Sequence, residues 1–132
     1  MDLDSKHILL VDDEPDFRLT MALLLERRGY EVSEAVNGLH ALQIISNCAR
    51  ENRDIDLIIT DIKMPMMTGV QFIDRVRQEN KDAEIVIVTG YGDRETLTKL
   101  AGKGCNKILH KPFDEEELLG LLDDFFCSQQ AV

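Results

Sequence analysis

The residues with the clearest chemical potential in this chain come directly after short apolar runs. Asp12, Asp13 and Glu14 follow one run, Asp61 a second, Thr89 and Gly90 a third, and Lys111 with Pro112 a fourth. Carboxylates crowded together disfavour joint ionisation. A hard divalent cation relieves that repulsion, and oxygen ligands with open positions suit Mg2+, which takes one or two protein carboxylates plus phosphate and water. Such a set would bring a phosphoryl donor against a carboxylate that acts as nucleophile. Lys111 would neutralise the transferred oxygens, and the Thr89 hydroxyl would donate to one of them. Formation of an aspartyl phosphate is the chemistry that fits these residue types.

For that chemistry to occur, separate segments must bring these residues to one edge. The apolar runs are His7–Val11, Glu31–Ala35, Asp56–Thr60, Glu84–Val88 and Lys107–His110. Three of them are continuously apolar and largely β-branched, as strands buried on both faces of a parallel sheet are. Helical periodicity lies between them: Phe17, Met21, Leu24 and Leu25; then Val70, Ile73 and Val76 with Arg77 at the polar edge; then Leu118, Leu121, Leu122 and Phe125. Gly29 and Gly104 read as helix stops, closing the first helix and the weaker segment Asp93–Lys103. Asp114 and Glu117 read as an acidic capping box for the last helix. Asn47–Ile55 is the one longer, more polar connection. Strict alternation over five units predicts a doubly wound α/β fold with a five-stranded parallel sheet flanked by five helices. Ligands bind such sheets beyond the carboxyl ends of the strands, which is where the acidic residues, Thr89 and Lys111 fall.

The length of 132 residues fits one domain, with a core over about residues 7–126 and a tail or linker stump at 128–132. The formal charge of −10 disfavours nucleic acid and anionic lipid and favours divalent cations or basic partners. Cys48, Cys105 and Cys127 lack zinc-ligand spacing and read as reduced thiols in a cytoplasmic protein. His7, His40 and His110 show no ligand spacing, and His110 alternates to the face of its strand opposite Lys111. No apolar run approaches the ~20 residues that a membrane span needs.

Taken together, the motifs resemble the receiver domain of two-component response regulators over nearly the whole chain, from about His7 to Phe126. Ile8 to Pro15 is similar to the first strand and acidic pair of that family, and Asp61 to Gly69 to its phosphoacceptor and following loop. Val88-Thr89-Gly90 resembles the switch threonine, and Lys111-Pro112-Phe113 the lysine and proline. The resemblance implies a flavodoxin-like sheet of order 2-1-3-4-5 and phosphorylation at Asp61. It implies Mg2+ held by Asp12, Asp13 and Asp61 with the main-chain carbonyl of Lys63, and phosphoryl contacts from Thr89, Lys111 and the Gly90 amide. A cis Lys111–Pro112 bond also follows from it. The implied partners are a sensor histidine kinase or phosphotransfer protein and an output domain or effector. Homodimerisation through the fourth helix, fifth strand and fifth helix is a habit of the family. One departure stands out: Ile108 occupies the place of the family's usual switch aromatic, and Tyr91 is the candidate substitute, also placed to shield an acyl phosphate from water.

Three other functions are weighed against this one. A haloacid-dehalogenase-type phosphohydrolase needs a second Asp two residues after the nucleophile, where this chain has Lys63. A flavin binder needs a phosphate cradle after the first strand, where Asp12, Asp13 and Glu14 would repel phosphate. A receiver-like docking module that works without phosphate is the third; the complete acidic pair, Asp61, Thr89 and Lys111 speak against it, and Ile108 keeps it open.

Overall fold

The computed structural model describes residues 6–80, 82–90, 94–105 and 107–130. Strands and helices alternate: β1 (His7–Val11), α1 (Pro15–Arg27), β2 (Glu31–Ala35), α2 (Gly38–Arg50), β3 (Leu57–Asp61), α3 (Gly69–Glu79), β4 (Ile85–Thr89), α4 (Arg94–Gly102), β5 (Lys107–His110) and α5 (Glu115–Gln130). All strand pairs are parallel, in the order β2-β1-β3-β4-β5. The continuously apolar strands β1, β3 and β4 take the centre, where both faces are covered. The polar-interrupted strands β2 and β5 form the edges.

Alternation along the strands divides the core into two layers. Ile8, Leu10, Ile59 and Val88 pack against Met21, Leu25, Leu118 and Leu122 of α1 and α5. Leu9, Val11, Ile58 and Ile87 face the other way, with Phe72, Ile73 and Leu100 of α3 and α4. Phe72 is wholly buried although the apolar stripe read from the sequence passed over it. Arg77 leaves that stripe at its polar edge and ties two helix ends together. Its Nε donates to the Lys103 carbonyl at 2.8 Å and its Nη1 to the Ala83 carbonyl at 2.6 Å.

Several boundaries differ from the sequence reading. β3 and β4 each start and end one residue later, because the parallel ladder pairs Asp61 with Val88 and Thr89 with His110. Asn47–Arg50 belongs to α2, since Cys48 turns its side chain into the protein; the connection then bends at Asn52, with φ of 57°. α5 continues through Ser128 to Gln130, so that part of the expected tail is helical. Gly29 and Gly104 have φ of 93° and 85°, the left-handed conformation of a helix stop. Asp114 accepts from the Glu117 amide at 2.8 Å. The paired cap is found elsewhere: Thr68 and Gln71 cap α3 reciprocally.

His7 is a buried structural histidine. The Asp54 carbonyl can only accept, so Nδ1–H donates to it at 3.1 Å and Nε2 accepts from the Ser33 hydroxyl at 2.7 Å. Burial lowers its pKa from the usual 6.5. Because the folded value lies below the unfolded one, the neutral ring supports the fold above pH 6.5, and that support is lost as pH falls through the folded value. Urea titrations over this range are expected to show His7→Gln losing stability less steeply than the wild type. The difference is at most ~1.4 kcal/mol per pH unit, as for one proton.

Candidate functional site

The carboxyl ends of β1, β3, β4 and β5 supply the site. Asp12 follows β1, and its amide donates to the Ala35 carbonyl of β2 at 3.1 Å, so the chain turns while still attached to the sheet. Its Oδ1 accepts from the Glu14 amide at 2.8 Å, which closes a tight acidic turn before Pro15 starts α1. Arg18 braces that turn, with Nη1 donating to the Asp12 carbonyl at 2.8 Å. Asp61 ends β3. Its Oδ1 accepts from the Ile62 amide at 2.6 Å and the Lys63 amide at 3.3 Å, so backbone donors fix one carboxylate oxygen.

The loop after Asp61 folds back on itself at Gly69. The Gly69 amide donates to the Ile62 carbonyl at 2.7 Å, and a β-carbon at this position would lie 2.5 Å from the Asp61 carbonyl oxygen. No side chain fits there, which explains a glycine eight residues after the aspartate.

Lys111 closes the constellation from the end of β5. Its Nζ is 3.1 Å from Asp61 Oδ2 and 3.4 Å from Asp12 Oδ2. It also lies 4.1 Å above the centre of the Phe17 ring, a cation–π contact. The backbone is held as well: the Lys111 amide donates to the Thr89 carbonyl at 2.8 Å. The Lys111–Pro112 peptide is cis, as the sequence resemblance implied.

Carboxylate oxygens of Asp12, Asp13 and Asp61 lie within 4.8 Å of one another. Hard oxygen donors at this spacing fit a small divalent cation. Asp13 and Lys63 also line a cleft of about 510 Å3 that opens past Met64, Thr68 and Thr96, giving the acidic group a route to solvent. The two carboxylates that meet Lys111 differ in access: the side chain is 2% exposed for Asp12 and 14% for Asp61. Asp61 is therefore the one of the pair that an incoming group can reach.

Electrostatics follows from this crowding. Burial raises the Asp12 carboxyl above its usual range and the nearby Asp61 charge adds to this, against the Glu14 amide and Lys111. Burial works to lower the Lys111 ammonium, but the hydrogen bond to Asp61 and the two carboxylates outweigh it and leave its pKa raised. Lys111 is thus a fixed cation beside Asp12, whose charge burial disfavours.

Of the residues selected from the sequence, Asp12, Asp13, Asp61 and Lys111 come together directly. Thr89 is buried at the end of β4, one residue beyond the register partner of Asp61, with Gly90 next to it. Ile108 does not reach this edge: it pairs with Ile87 and packs partly buried in the layer beneath α3 and α4. Tyr91 lies outside the described residues. Phe17 and Arg18 were missed as site residues; Phe17 looked like core, and only its place in the first turn after the acidic residues could have marked it.

The family profile of the response regulator receiver domain matches residues 8–123. Sporulation initiation phosphotransferase F of Bacillus subtilis is 29% identical over 114 residues, covering 86% of this chain and 88% of its own. The autoinducer sensor kinase/phosphatase CqsS of Vibrio cholerae is 35% identical over 118 residues, but the match spans 87% of this chain and only 16% of that one. Among solved structures, response regulator TrrA of Thermotoga maritima, in complex with Mg2+-BeF, superposes with a TM-score of 0.75 and is 32% identical. That match covers 90% of this chain and 97% of the other.

Proposed function

Because the chain belongs to the response regulator receiver domain family of two-component signalling, we propose that it takes a phosphoryl group onto Asp61 from a phosphohistidine. The observation that carries this reading is the placing of Asp61. One of its oxygens is fixed by two amides, the other meets Lys111, and it is the more accessible of the two carboxylates at that lysine. Oδ2 attacks phosphorus as the P–N bond to the donor imidazole breaks, and the imidazole leaves with the electron pair and takes up a proton. Lys111 shifts its hydrogen bond from Oδ2 to a phosphoryl oxygen, and Phe17 keeps the ammonium over the site. Asp12, Asp13, Asp61 and the Lys63 carbonyl would hold Mg2+, which when bound neutralises charge on the transferring group. The TrrA complex with Mg2+-BeF supports that choice of ion.

Thr89 and Gly90 then engage the phosphoryl oxygens, and the movement of β4's end carries the signal to an output domain or effector. The chain acts as one receiver unit in the cytoplasm, a switch with slow self-dephosphorylation and no substrate turnover. Among the described residues, no helix is long and apolar enough to cross a membrane. Phosphoramidate presents the P–N bond of a phosphohistidine without a protein donor. With Mg2+ it is expected to transfer one phosphoryl group to the chain. Transfer that is equally fast with EDTA, or none at all, would contradict the proposal.

A further inference from the structure

Arg18 stands in the first turn of α1 with its side chain largely covered, and the transfer step makes no use of it. Its planar fork reaches in two directions. Nε lies 3.2 Å from Glu34 Oε1 on β2, and Nη1 donates to the Asp12 carbonyl at 2.8 Å. A guanidinium held at one corner has a preset direction for its other donors, so the edge strand sets where Nη1 points. The carbonyl it meets belongs to the peptide joining Asp12 to Asp13. Asp12 is secured independently, since its amide reaches the Ala35 carbonyl and its Oδ1 accepts from the Glu14 amide. Asp13 is exposed, and among the described residues no hydrogen bond or ion pair holds its carboxylate. Its place beside Asp12 and Asp61 therefore depends on the peptide plane ahead of it.

We propose that Arg18 is a positioning residue for the metal: braced by Glu34, it holds the Asp12–Asp13 peptide so that the Asp13 carboxylate stays turned to the ion. This rests on the Mg2+ reading of the acidic cluster given above. Asp12 is buried, so without Arg18 its carbonyl would lose its donor, and the peptide plane would turn to find another, carrying Asp13 with it. Residues that orient a metal ligand in this way commonly contribute about 10–100-fold to metal affinity. The sign of the effect separates this role from plain electrostatics. Arg18 places a positive charge against the acidic turn, so by charge alone its removal would tighten the binding of a cation. Loss of positioning weakens it instead.

The test is a calorimetric titration of Mg2+ into the full chain, with thermal melts in EDTA as the check on folding. Arg18→Met keeps the length of the stem and removes both donors. It is expected to bind Mg2+ about tenfold more weakly than the wild type. In an Asp13→Asn background the same change should cost no more than about twofold, because the ligand it positions has already lost its charge. Arg18→Lys keeps a donor for the carbonyl but no second arm for Glu34, and should lie about threefold below the wild type. It carries the test if Arg18→Met is unfolded. Binding as tight as that of the wild type, or tighter, would overturn the inference. An equal loss with and without the Asp13 carboxylate would also overturn it, since Arg18 would then act on the fold alone. No Mg2+ binding by the wild type would overturn the metal reading itself, and the inference with it.

Discussion

Replacing Lys111 with Met is expected to slow phosphoryl uptake by about 10²–10³-fold, as removal of a preorganised charge from a developing anion does. Mg2+ binding should survive the change. Lys111 lies against Asp61 and Asp12, so in the absence of metal it is the cation that offsets the crowded carboxylates. Its loss leaves Asp12 buried without that partner, which costs stability. A divalent ion can supply the missing charge. Lys111→Met should therefore melt below the wild type in EDTA and recover on adding Mg2+, with metal affinity unchanged or raised. Uptake would remain slow in saturating metal. Thermal melts, Mg2+ titrations and the rate of phosphorylation by acetyl phosphate separate these effects. Uptake at the wild-type rate would remove Lys111 from the transfer step.

Asp12→Asn should have the opposite pattern. Burial raises the Asp12 pKa, so above that pKa the ionised side chain opposes the fold, and the opposition is relieved as pH falls. Asn keeps the acceptor for the Glu14 amide and removes the charge. The variant is expected to gain about 1 kcal/mol of stability at neutral pH without metal, in the usual range of single substitutions, and to lose at least about tenfold in Mg2+ affinity, because fewer charged oxygens face the ion. Mg2+-dependent phosphorylation should fall with it. A less stable variant, or one that binds Mg2+ as the wild type does, would show that Asp12 is not a metal ligand held at a cost to the fold.

Much of this architecture was legible because apolar runs bounded by acidic or hydroxyl residues are a strong local signal. β1 and β4 read as buried strands from Ile8–Val11 and Ile85–Val88, and Asp12, Asp61 and Lys111 were found by looking just past such runs. What escaped was set by three-dimensional neighbours. The extra strand residues Asp61 and Thr89 are held by ladder partners on other strands. The last turn of α2 is amphipathic through Cys48, which the polar reading of Asn47–Ile55 concealed. Phe17 presents its ring to Lys111 across a separation of 94 positions, and no periodicity within α1 encodes that contact. The motif resemblance already singles out Asp61; what only the folded chain adds is that Asp61 is more exposed than Asp12 beside the lysine.

Intact-mass measurement after incubation with acetyl phosphate, with and without Mg2+, tests the central claim most directly when wild type and Asp61→Asn are compared. The wild type is expected to gain one phosphoryl group only with Mg2+ and to lose it on treatment with hydroxylamine, as an acyl phosphate does. Asp61→Asn should gain none. An adduct of the same mass and lability on Asp61→Asn would place the phosphoryl group on another residue. No adduct on the wild type under any condition would contradict phosphoryl switching and leave a phosphate-independent docking module.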